Sequence, residues 1–230
     1  MAILDGLSVL GEITLSTLET HSRRLFTSLE WLLKKTGQDW DSLDLLAIAL
    51  GPGSFTGLRI GLATVKGIAM AHNVAICGVP SLDAMAAQVA ATPGDTICPV
   101  MDARKHQIFT AVFRAAASSE QHEKISEYMV INPEELGKYL PDRKRAVIFG
   151  SGFDSYREEI LSRVATSWST MPPHLSFARA SATGFLAASR IMAGGEPDNP
   201  ALLAPVYVRA SEAEMTRQAR LASAASGQTA

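Results

Sequence analysis

The sequence predicts an α/β fold with a parallel β-sheet at its core. Residues 43–50 form an almost wholly apolar run that ends at Gly51, Pro52 and Gly53, a pattern typical of a strand covered by helices on both faces. Similar apolar runs alternate with segments of helical periodicity along most of the chain. With 230 residues, of which 47% are hydrophobic, the chain is long enough to bury a substantial core.

The first half of the chain is predicted to contain a hairpin followed by alternating helices and strands. Asp5 and Gly6 favour a tight turn between an apolar run at residues 1–4 and an extended segment at residues 7–15. The predicted helices span residues 21–35, 57–71 and 81–91, and the predicted strands span residues 43–50 and 74–79. This order favours βα units that share one parallel sheet.

The second half repeats part of this pattern. A strand at residues 97–101 is followed by Asp102, a polar turn at residues 103–106 and a returning strand at residues 107–113. After a segment around residues 127–131, further strands are predicted at residues 146–149 and 203–208, and helices from Pro133, from Asp154 and over residues 181–192. The predicted units are an N-terminal subdomain at 1–101, a C-terminal subdomain at 102–209 and an Ala-, Ser- and Glu-rich tail at 210–230 that we expect to fray.

Composition and charge exclude several classes of protein. The net charge of −2 and the pI near 6.2 lack the basic excess that a protein needs to grip nucleic acid by itself. We therefore expect another chain to hold any RNA. No apolar run approaches the roughly 20 residues that span a bilayer, and the N-terminus lacks the regions of a signal peptide. Cys77 and Cys98 lie in apolar runs, which predicts reduced, buried thiols. These features predict a cytoplasmic protein.

A glycine-rich turn at residues 51–61 is the most distinctive motif. Backbone N–H groups and a helix N-terminus can hold an anion at such a turn. The candidate contacts are Gly51, Gly53, Ser54, Thr56 and Gly57. The lysine of a Walker A loop is missing, because Lys66 lies about two helical turns further on. A tight strand-to-helix connection without a ligand explains the same residues, and chemistry alone favours that interpretation.

This run of residues 51–61 resembles the signature of the TsaB family of tRNA threonylcarbamoyladenosine biosynthesis proteins, which are grouped with glycoprotease-like proteins. Other strings resemble the same family in the same order, at residues 20–22, 78–84, 101–104 and 205–209. The resemblance covers nearly the whole chain, most closely residues 1–114. It implies an actin-like (ribonuclease H-like) fold of two related subdomains.

The resemblance also implies a function. It implies a non-catalytic partner that stabilises or activates a TsaD-like catalytic homologue, beside a TsaE-like ATPase. That complex forms N6-threonylcarbamoyladenosine in tRNA next to the anticodon, with tRNA contacted mainly through the partners. The resemblance implies no membrane contact and no cofactor of the chain's own. It leaves open an adenine nucleotide at the partner interface and a homodimer of the free protein.

Several residues argue against catalysis by this chain. The catalytic homologue holds a metal with a His-x-x-x-His pair, and the matching residues here are Ser81 and Met85, which are poor ligands for such a metal. The five histidines are scattered, with no pair at helical spacing, and Ser54 lacks the motif of a hydrolase nucleophile. Asp83 and Asp102 are interpreted as cap or turn residues. We predict no catalytic and no metal-binding residue, with a glycoprotease-type metallohydrolase or an actin-fold nucleotide-binding enzyme as the alternatives.

Helical geometry predicts where a partner would bind. In the helix at residues 21–35, Trp31 lies opposite an apolar stripe that consists of Leu25, Phe26, Leu29, Leu32 and Leu33. An exposed Trp beside basic residues is typical of an interface anchor, although isolated exposed aromatic residues are also common. The helix at residues 57–71 is apolar or small on nearly every side and needs a cover beyond its own sheet. The candidate interface residues are Arg24, Trp31, Lys35, Ile60, Gly61, Thr64 and Gly67.

The start of the chain differs from the family pattern. The family begins with an apolar strand, and residues 1–6 here align with the strand that follows it. We therefore expect that the first N-terminal strand of the fold is lacking, a piece on the order of a dozen residues. The alternative is a variant in which the sheet closes over the gap.

Overall fold

The computed structural model describes residues 1–15, 21–118, 122–141 and 144–208, and it leaves the side chains of residues 21–24 undescribed. In chain order the strands and helices are β1 Ala2–Asp5, β2 Ser8–Glu12, α1 His21–Thr36, β3 Leu45–Ala49, α2 Phe55–His72, β4 Ala75–Val79, α3 Ser81–Ala86, β5 Thr96–Arg104, β6 Gln107–Thr110, β7 Phe113–Arg114, β8 Glu123–Lys124, β9 Met129–Ile131, β10 Ala146–Phe149, α4 Ser151–Ser155, α5 Arg157–Leu161, β11 Trp168–Ser169 and α6 Ala180–Met192. Short 3-10 helices cover Trp40–Ser42, Pro133–Tyr139 and Pro173–Leu175. None of the helices in these ranges has both the length and the apolar character needed to cross a bilayer.

The N-terminal half carries its strands as two separate pairs. β1 and β2 form an antiparallel hairpin, whereas β3 and β4 are parallel, with Leu45 opposite Ala75. Within the described residues no ladder joins β1 to β3. α1 packs on the hairpin, α2 packs on β3 and β4, and α6 packs on β1, β3 and β4. A cleft of about 850 Å³, which we call the β1–β3 cleft, lies between the two pairs and is lined by both strands and by α1, α2 and α6.

The C-terminal half is built around β5. This strand pairs in parallel with β10 and antiparallel with β6 and β7, and β9 and β11 extend the sheet on its two sides. Its first residues, Thr96 to Val100, are buried. Cys98, Val100 and Ile148 have no exposed surface and belong to one apolar cluster with the helices α4 and α5. The core of this half is therefore a central strand that is paired on both edges and covered on both faces.

Most of the predicted elements are confirmed. The helices predicted at residues 21–35, 57–71 and 181–192 and the strands at 43–50, 74–79 and 146–149 agree with the structure to within two residues at each end. Cys77 and Cys98 are free and buried, as predicted.

Several predicted elements differ from the structure in their bounds or in their conformation. The helix predicted at residues 81–91 ends at Ala86, the segment from Pro133 is a 3-10 helix, and the strand predicted at 107–113 is split into β6 and β7. The helix predicted from Asp154 is two short helices that are broken at Tyr156, whose φ of −126° and ψ of 30° are not helical.

The last strand, predicted at residues 203–208, is wrong, because the structure has no strand there. Val206 donates one hydrogen bond to the Leu50 carbonyl. Its neighbour Pro205 has no N–H to extend a ladder.

The predicted domain boundary at Asp102 falls inside β5, so residues 96–101 belong to the sheet of the second half. The division into 1–101 and 102–209 stays a prediction. The tail at 210–230 lies outside the described residues. The expectation that a first strand is lacking also stays a prediction.

Candidate partner interface

The glycine turn has a backbone that only glycine tolerates at its first position. Gly51 has a φ of +102°, and a Cβ there would lie 2.8 Å from Leu58 Cδ1 and 3.2 Å from the Val206 carbonyl oxygen. Gly51 also accepts a hydrogen bond from the Ser81 N–H. The turn is therefore held from two sides, by the start of α3 and by the C-terminal segment, as a tight strand-to-helix connection requires.

Ser54 begins α2 as its N-cap. Its Oγ accepts from the Gly57 N–H at 3.3 Å, and its carbonyl accepts from the Leu58 N–H at 2.9 Å. The candidate anion contacts Gly53, Ser54 and Thr56 thus lie at one helix N-terminus, with the side chains of Ser54 and Thr56 exposed. Because the Ser54 hydroxyl already accepts the hydrogen bond from the Gly57 N–H, an anion would have to bind the other N–H groups in the first turn of α2. This contact stays a prediction.

An exposed aromatic cluster beside the turn is a feature that the sequence did not reveal. The Arg59 guanidinium lies 3.8 Å from the centroid of the Phe55 ring, and its Nε donates to Tyr207 Oη at 3.0 Å. The rings of Phe55 and Tyr207 are 5.4 Å apart. Phe55 and Arg59 are one helical turn apart, which predicts their contact. The contribution of Tyr207 depends on a tertiary contact across 148 positions of the chain, which no local pattern signals.

The outer face of α1 presents Trp31. Its side chain is 52% exposed, and the ammonium of Lys35 lies 5.8 Å from its ring centroid. The opposite face carries Leu32 and Leu33, each 3% exposed. These placements confirm the predicted geometry of the helix. Arg24 was also predicted on the Trp31 face, but its side chain lies outside the described residues.

Phe26 does not share the burial of the rest of its predicted stripe. It is 47% exposed and stacks on Trp40 at 5.6 Å, which in turn stacks on His72 at 5.8 Å. Since His72 ends α2, this stack of rings connects α1 to α2 near the protein surface. Asp41 fixes His72 through a contact of 2.8 Å to its Nδ1.

The structure divides the predicted interface residues of α2 between two surfaces. Gly67 lies on the outer face, where Met70 is 82% exposed. Ile60, Gly61 and Thr64 instead line the β1–β3 cleft, and a Cβ at Gly61 would lie 3.5 Å from Ile48 Cδ1 of β3. The closeness that Gly61 permits is therefore used by the chain's own sheet. A role of these residues in binding a partner stays a prediction.

The positions that match the metal-binding histidines of the catalytic homologue lie in the core. Ser81 is 5% exposed and Met85 is 1% exposed, and Met85 packs in the apolar cluster of the C-terminal half. Between them, Asp83 accepts a hydrogen bond from Tyr128 Oη at 2.8 Å, and burial raises the pKa of the Asp83 carboxyl. This segment of α3 therefore contributes to the packing of the core. It offers neither an imidazole nor an exposed carboxylate as a metal ligand.

Further ionisable residues that could bear on a site lie in the C-terminal half. Asp102 lies within β5 and not in a turn, and the predicted turn at residues 103–106 is limited to residues 105 and 106. The Asp102 carboxylate accepts from the Arg104 N–H at 2.8 Å, at the end of this strand. His106, Glu134 and Glu159 bring their ligand atoms within 4.8 Å of one another, a proximity that their spacing along the chain did not indicate. All three are exposed, and such exposed groups commonly occur without a metal.

The chain has recognisable relatives. Residues 8–215 match the family described as tRNA N6-adenosine threonylcarbamoyltransferase (TsaD). The tRNA threonylcarbamoyladenosine biosynthesis protein TsaB of Haemophilus influenzae is 28% identical over 146 residues, which cover 60% of this chain and 61% of the relative. The protein of the same name from Bacillus subtilis is 32% identical over 114 residues, which cover 50% of this chain and 49% of the relative. The chain thus spans about half to three fifths of the length of these curated relatives.

Solved structures share the fold. A Pseudomonas aeruginosa protein described as similar to the peptidase YEAZ has a TM-score of 0.69 at 24% identity, covering 83% of this chain and 85% of its own. A second structure, YeaZ from the same organism, has a TM-score of 0.66 at 24% identity, covering 81% and 84%. The predicted actin-like α/β fold is confirmed. The chain belongs to the tRNA N6-adenosine threonylcarbamoyltransferase family, and within it the chain is similar to the proteins named TsaB.

Proposed function

We propose that this chain is a non-catalytic partner subunit of the cytoplasmic complex that forms N6-threonylcarbamoyladenosine in tRNA. Its role is to stabilise or activate a TsaD-like catalytic subunit, which works with a TsaE-like ATPase. Two similar proteins carry threonylcarbamoyladenosine biosynthesis in their names. The net charge of −2 supports tRNA binding mainly through the partners, because phosphate contacts need a basic surface.

The observation that carries the proposal is the burial of Ser81 and Met85. A catalytic metal site needs several ligand atoms that converge on an accessible open position. At this place in the fold the chain has a serine that is 5% exposed and a methionine that is 1% exposed. Both contribute to packing, so the segment stabilises the fold where a catalytic homologue would hold its metal.

The outer faces of α1 and α2 are the proposed partner surface. Trp31 and Met70 expose 52% and 82% of their surfaces, and the ring stack of Phe26, Trp40 and His72 joins the two helices. Large aromatic side chains beside cationic ones are the usual anchors of protein interfaces. A TsaD-like subunit that covers both helices would bury these side chains together. A second copy of the chain on the same faces would give the homodimer of the free protein.

An adenine nucleotide at the partner interface is a further part of this proposal. The N-terminus of α2 and the exposed Arg59 guanidinium lie at the glycine turn, where an anion is favoured by N–H groups and by positive charge. Titration of ADP into the chain alone, and into its complex with the TsaD-like subunit, tests this. Binding only to the complex supports a shared site, and binding to the free chain with turnover supports the nucleotide-binding enzyme instead.

Reconstitution tests the function itself. Purified TsaD-like and TsaE-like proteins are incubated with tRNA, ATP and a donor of the threonylcarbamoyl group, with and without this chain. We expect N6-threonylcarbamoyladenosine only when the chain and the TsaD-like subunit are both present, and we expect the two to co-purify. Full modification without the chain would refute the proposal. Modification or peptide cleavage by the chain without the TsaD-like subunit would support a catalytic role.

A further inference from the structure

Three ionisable side chains meet on the surface of the C-terminal half. They are the imidazole of His106 and the carboxylates of Glu134 and Glu159, and one ligand atom from each lies within 4.8 Å of the other two. They come from three elements, which are the turn before β6, the 3-10 helix at Pro133–Tyr139, and α5. Imidazole nitrogen and carboxylate oxygen are both common ligands of divalent transition metals.

The backbone beneath this cluster is held in place by the apolar core. One or two positions from each of the three side chains lies a fully buried residue of a single apolar cluster, namely Ile108, Leu136 and Ile160. The 3-10 helix also approaches the end of α5 closely, because a Cβ at Gly137 would overlap the Arg163 carbonyl group. Packing therefore fixes the three backbone positions relative to one another, which is what a preorganised ligand site requires.

Two of the three side chains already have a spacing close to that of metal ligands. The Nε2 atom of His106 lies 3.1 Å from Oε2 of Glu159. Metal bonds of about 2.0–2.2 Å at a tetrahedral angle place neighbouring ligand atoms roughly 3.3–3.6 Å apart. The Tyr156 ring packs edge-on against the imidazole, with 5.3 Å between the ring centroids, and so limits the rotation of His106. A metal ion between the two atoms therefore requires only a small displacement of each.

Glu134 is the member of the cluster that a simple ion pair does not explain. Its neighbour Glu135 accepts from the Asn132 N–H at 3.2 Å and from the Lys138 ammonium at 2.9 Å. Glu134 itself has no hydrogen bond or ion pair with any residue that the structure describes, although it lies beside Glu159 and the imidazole. One imidazole thus lies between two carboxylates, and even a protonated ring leaves one negative charge unbalanced within the cluster. Like charges at this separation repel, and a divalent cation balances both.

We propose that His106, Glu134 and Glu159 bind one Zn²⁺ ion, with one ligand atom each. The ion links the turn before β6 to the 3-10 helix and to α5, and so it stabilises this edge of the C-terminal half. Three protein ligands leave the fourth tetrahedral position to water. The imidazole favours Zn²⁺ over Mg²⁺, which prefers oxygen ligands in octahedral geometry. The side chains of His106 and Glu159 are 58% and 44% exposed, so an ion can enter directly from solvent.

The test titrates Zn²⁺ into the full chain after treatment with a chelator. Calorimetry measures the stoichiometry and the affinity, and thermal melts with and without Zn²⁺ measure the effect on stability. The variants His106→Gln, Glu134→Gln and Glu159→Gln each remove one ligand. Two variants serve as matched controls. Glu158→Gln makes the same change one position away on α5, and His174→Gln removes another exposed histidine.

We expect one Zn²⁺ ion to bind per chain and to raise the Tm, because it binds the folded state. Each ligand variant should bind Zn²⁺ at least about tenfold more weakly, since even the loss of a residue that only orients a ligand costs that much. Both controls should keep the wild-type affinity. The absence of binding, or an affinity that none of the ligand variants changes, would overturn the proposal. Displacement of Zn²⁺ by an equal concentration of Mg²⁺ would exclude the imidazole as a ligand and would also overturn it.

Glu134→Gln distinguishes a metal site from a simple ion pair. Without metal this variant loses no hydrogen bond and no ion pair among the described residues, so its Tm should stay close to that of the wild type. With Zn²⁺ the two should separate, because only the wild type gains the stabilisation, and Glu158→Gln should show the wild-type increase. If Glu134→Gln keeps both the full increase in Tm and the wild-type affinity, the cluster is only the pair of His106 with Glu159. That result would overturn the site of three ligands.

Discussion

In the C-terminal half β5 lies between β6 and β10, whereas in the N-terminal half the corresponding space between β1 and β3 is a cleft. The consequence appears in the burial of equivalent strands. Every residue of β10 is buried, but every residue of β3 is only partly buried. A strand in this fold therefore owes its burial to the helices above and below it and also to the strand beside it.

In the N-terminal half, α6 connects the two strand pairs through contacts that do not involve strand pairing. α6 packs on β1, β3 and β4 and so spans the cleft. The Glu12 carboxylate at the end of β2 binds Arg179 and Ser181 at the start of α6. We therefore expect equivalent substitutions in the two halves to lower the free energy of unfolding by different amounts. Four experiments test this difference or use it.

The largest expected effect is that of Ile148→Ala in β10. Ile148 has no exposed surface, so its truncation leaves a cavity in a closed core and should cost about 3–4 kcal/mol of unfolding free energy. The matched variant is Ile48→Ala in β3, whose side chain borders open space in the cleft. We expect it to cost about 1–2 kcal/mol, since the site is already partly solvated. Urea unfolding measures both values, and equal costs would contradict the difference between the halves.

Local patterns could predict the elements of the fold, whereas the expectation of a lacking strand depended on the resemblance to the family. The apolar run at residues 43–50 and the caps of α2 are short-range signals, and both elements form as predicted. The strand predicted at residues 203–208 does not form. A strand needs the free edge of another strand to pair with, and the hydrophobic pattern does not show whether such an edge is within reach. The partly buried state of β3 likewise depends on β1, which lies some forty positions earlier in the chain.

The second prediction concerns Glu12, which holds the hairpin to α6. Its side chain is 8% exposed and accepts from Arg179, from the Ser181 N–H and from Ser181 Oγ. Glu12→Gln removes the charge from these hydrogen bonds, and we expect it to lower the free energy of unfolding by about 2 kcal/mol. Glu123→Gln, which affects the exposed pair with Arg114, is the control and should change stability little.

The effect of Glu12 should depend on pH in a defined direction. Burial alone would raise the pKa of Glu12, but hydrogen bonds from Ser181 and Arg179 outweigh it and hold the pKa below its ordinary value of 4.5. A carboxyl with a lowered pKa in the folded state stabilises the fold above its ordinary pKa, and this contribution is lost as the pH falls further. The difference between wild type and Glu12→Gln should therefore be constant at neutral pH and shrink below about pH 4.5. A difference that grows on acidification would refute this assignment.

The third prediction separates a binding surface from a core. Trp31→Ala should weaken binding to a TsaD-like subunit by about 2 kcal/mol or more, with little change in Tm, because the side chain is 52% exposed. Glu30→Ala, on the same exposed stretch of α1, is the matched control. Calorimetric titration measures the affinity and a thermal melt the stability. A large fall in Tm with unchanged affinity would show that Trp31 serves the fold.

Sequence reasoning found single exposed residues of the candidate site more readily than residues that meet across the fold. Trp31 could be placed on the outer face because helical periodicity fixes its direction relative to Leu32 and Leu33. The contact of Arg59 with Tyr207, in contrast, depends on where the C-terminal segment crosses the turn. The helical periodicity of Ile60 and Thr64 is the same as that of an exposed stripe. In the structure, however, both residues line the β1–β3 cleft inside the molecule.

The smallest expected effect concerns the two thiols, which report on the opening of each half. Cys77 in β4 and Cys98 in β5 both have no exposed surface, and burial raises the pKa of Cys98 to about 12. Since the thiolate is the reactive form, neither thiol reacts in the closed state, and alkylation measures local opening. We expect iodoacetamide to label Cys77 about tenfold faster than Cys98, which corresponds to an opening free energy lower by about 1.4 kcal/mol. Peptide mapping of the wild-type chain follows both thiols in one sample. Equal rates would show that the two halves open as one unit, because the missing edge contacts of β3 would then have no effect on the neighbouring β4.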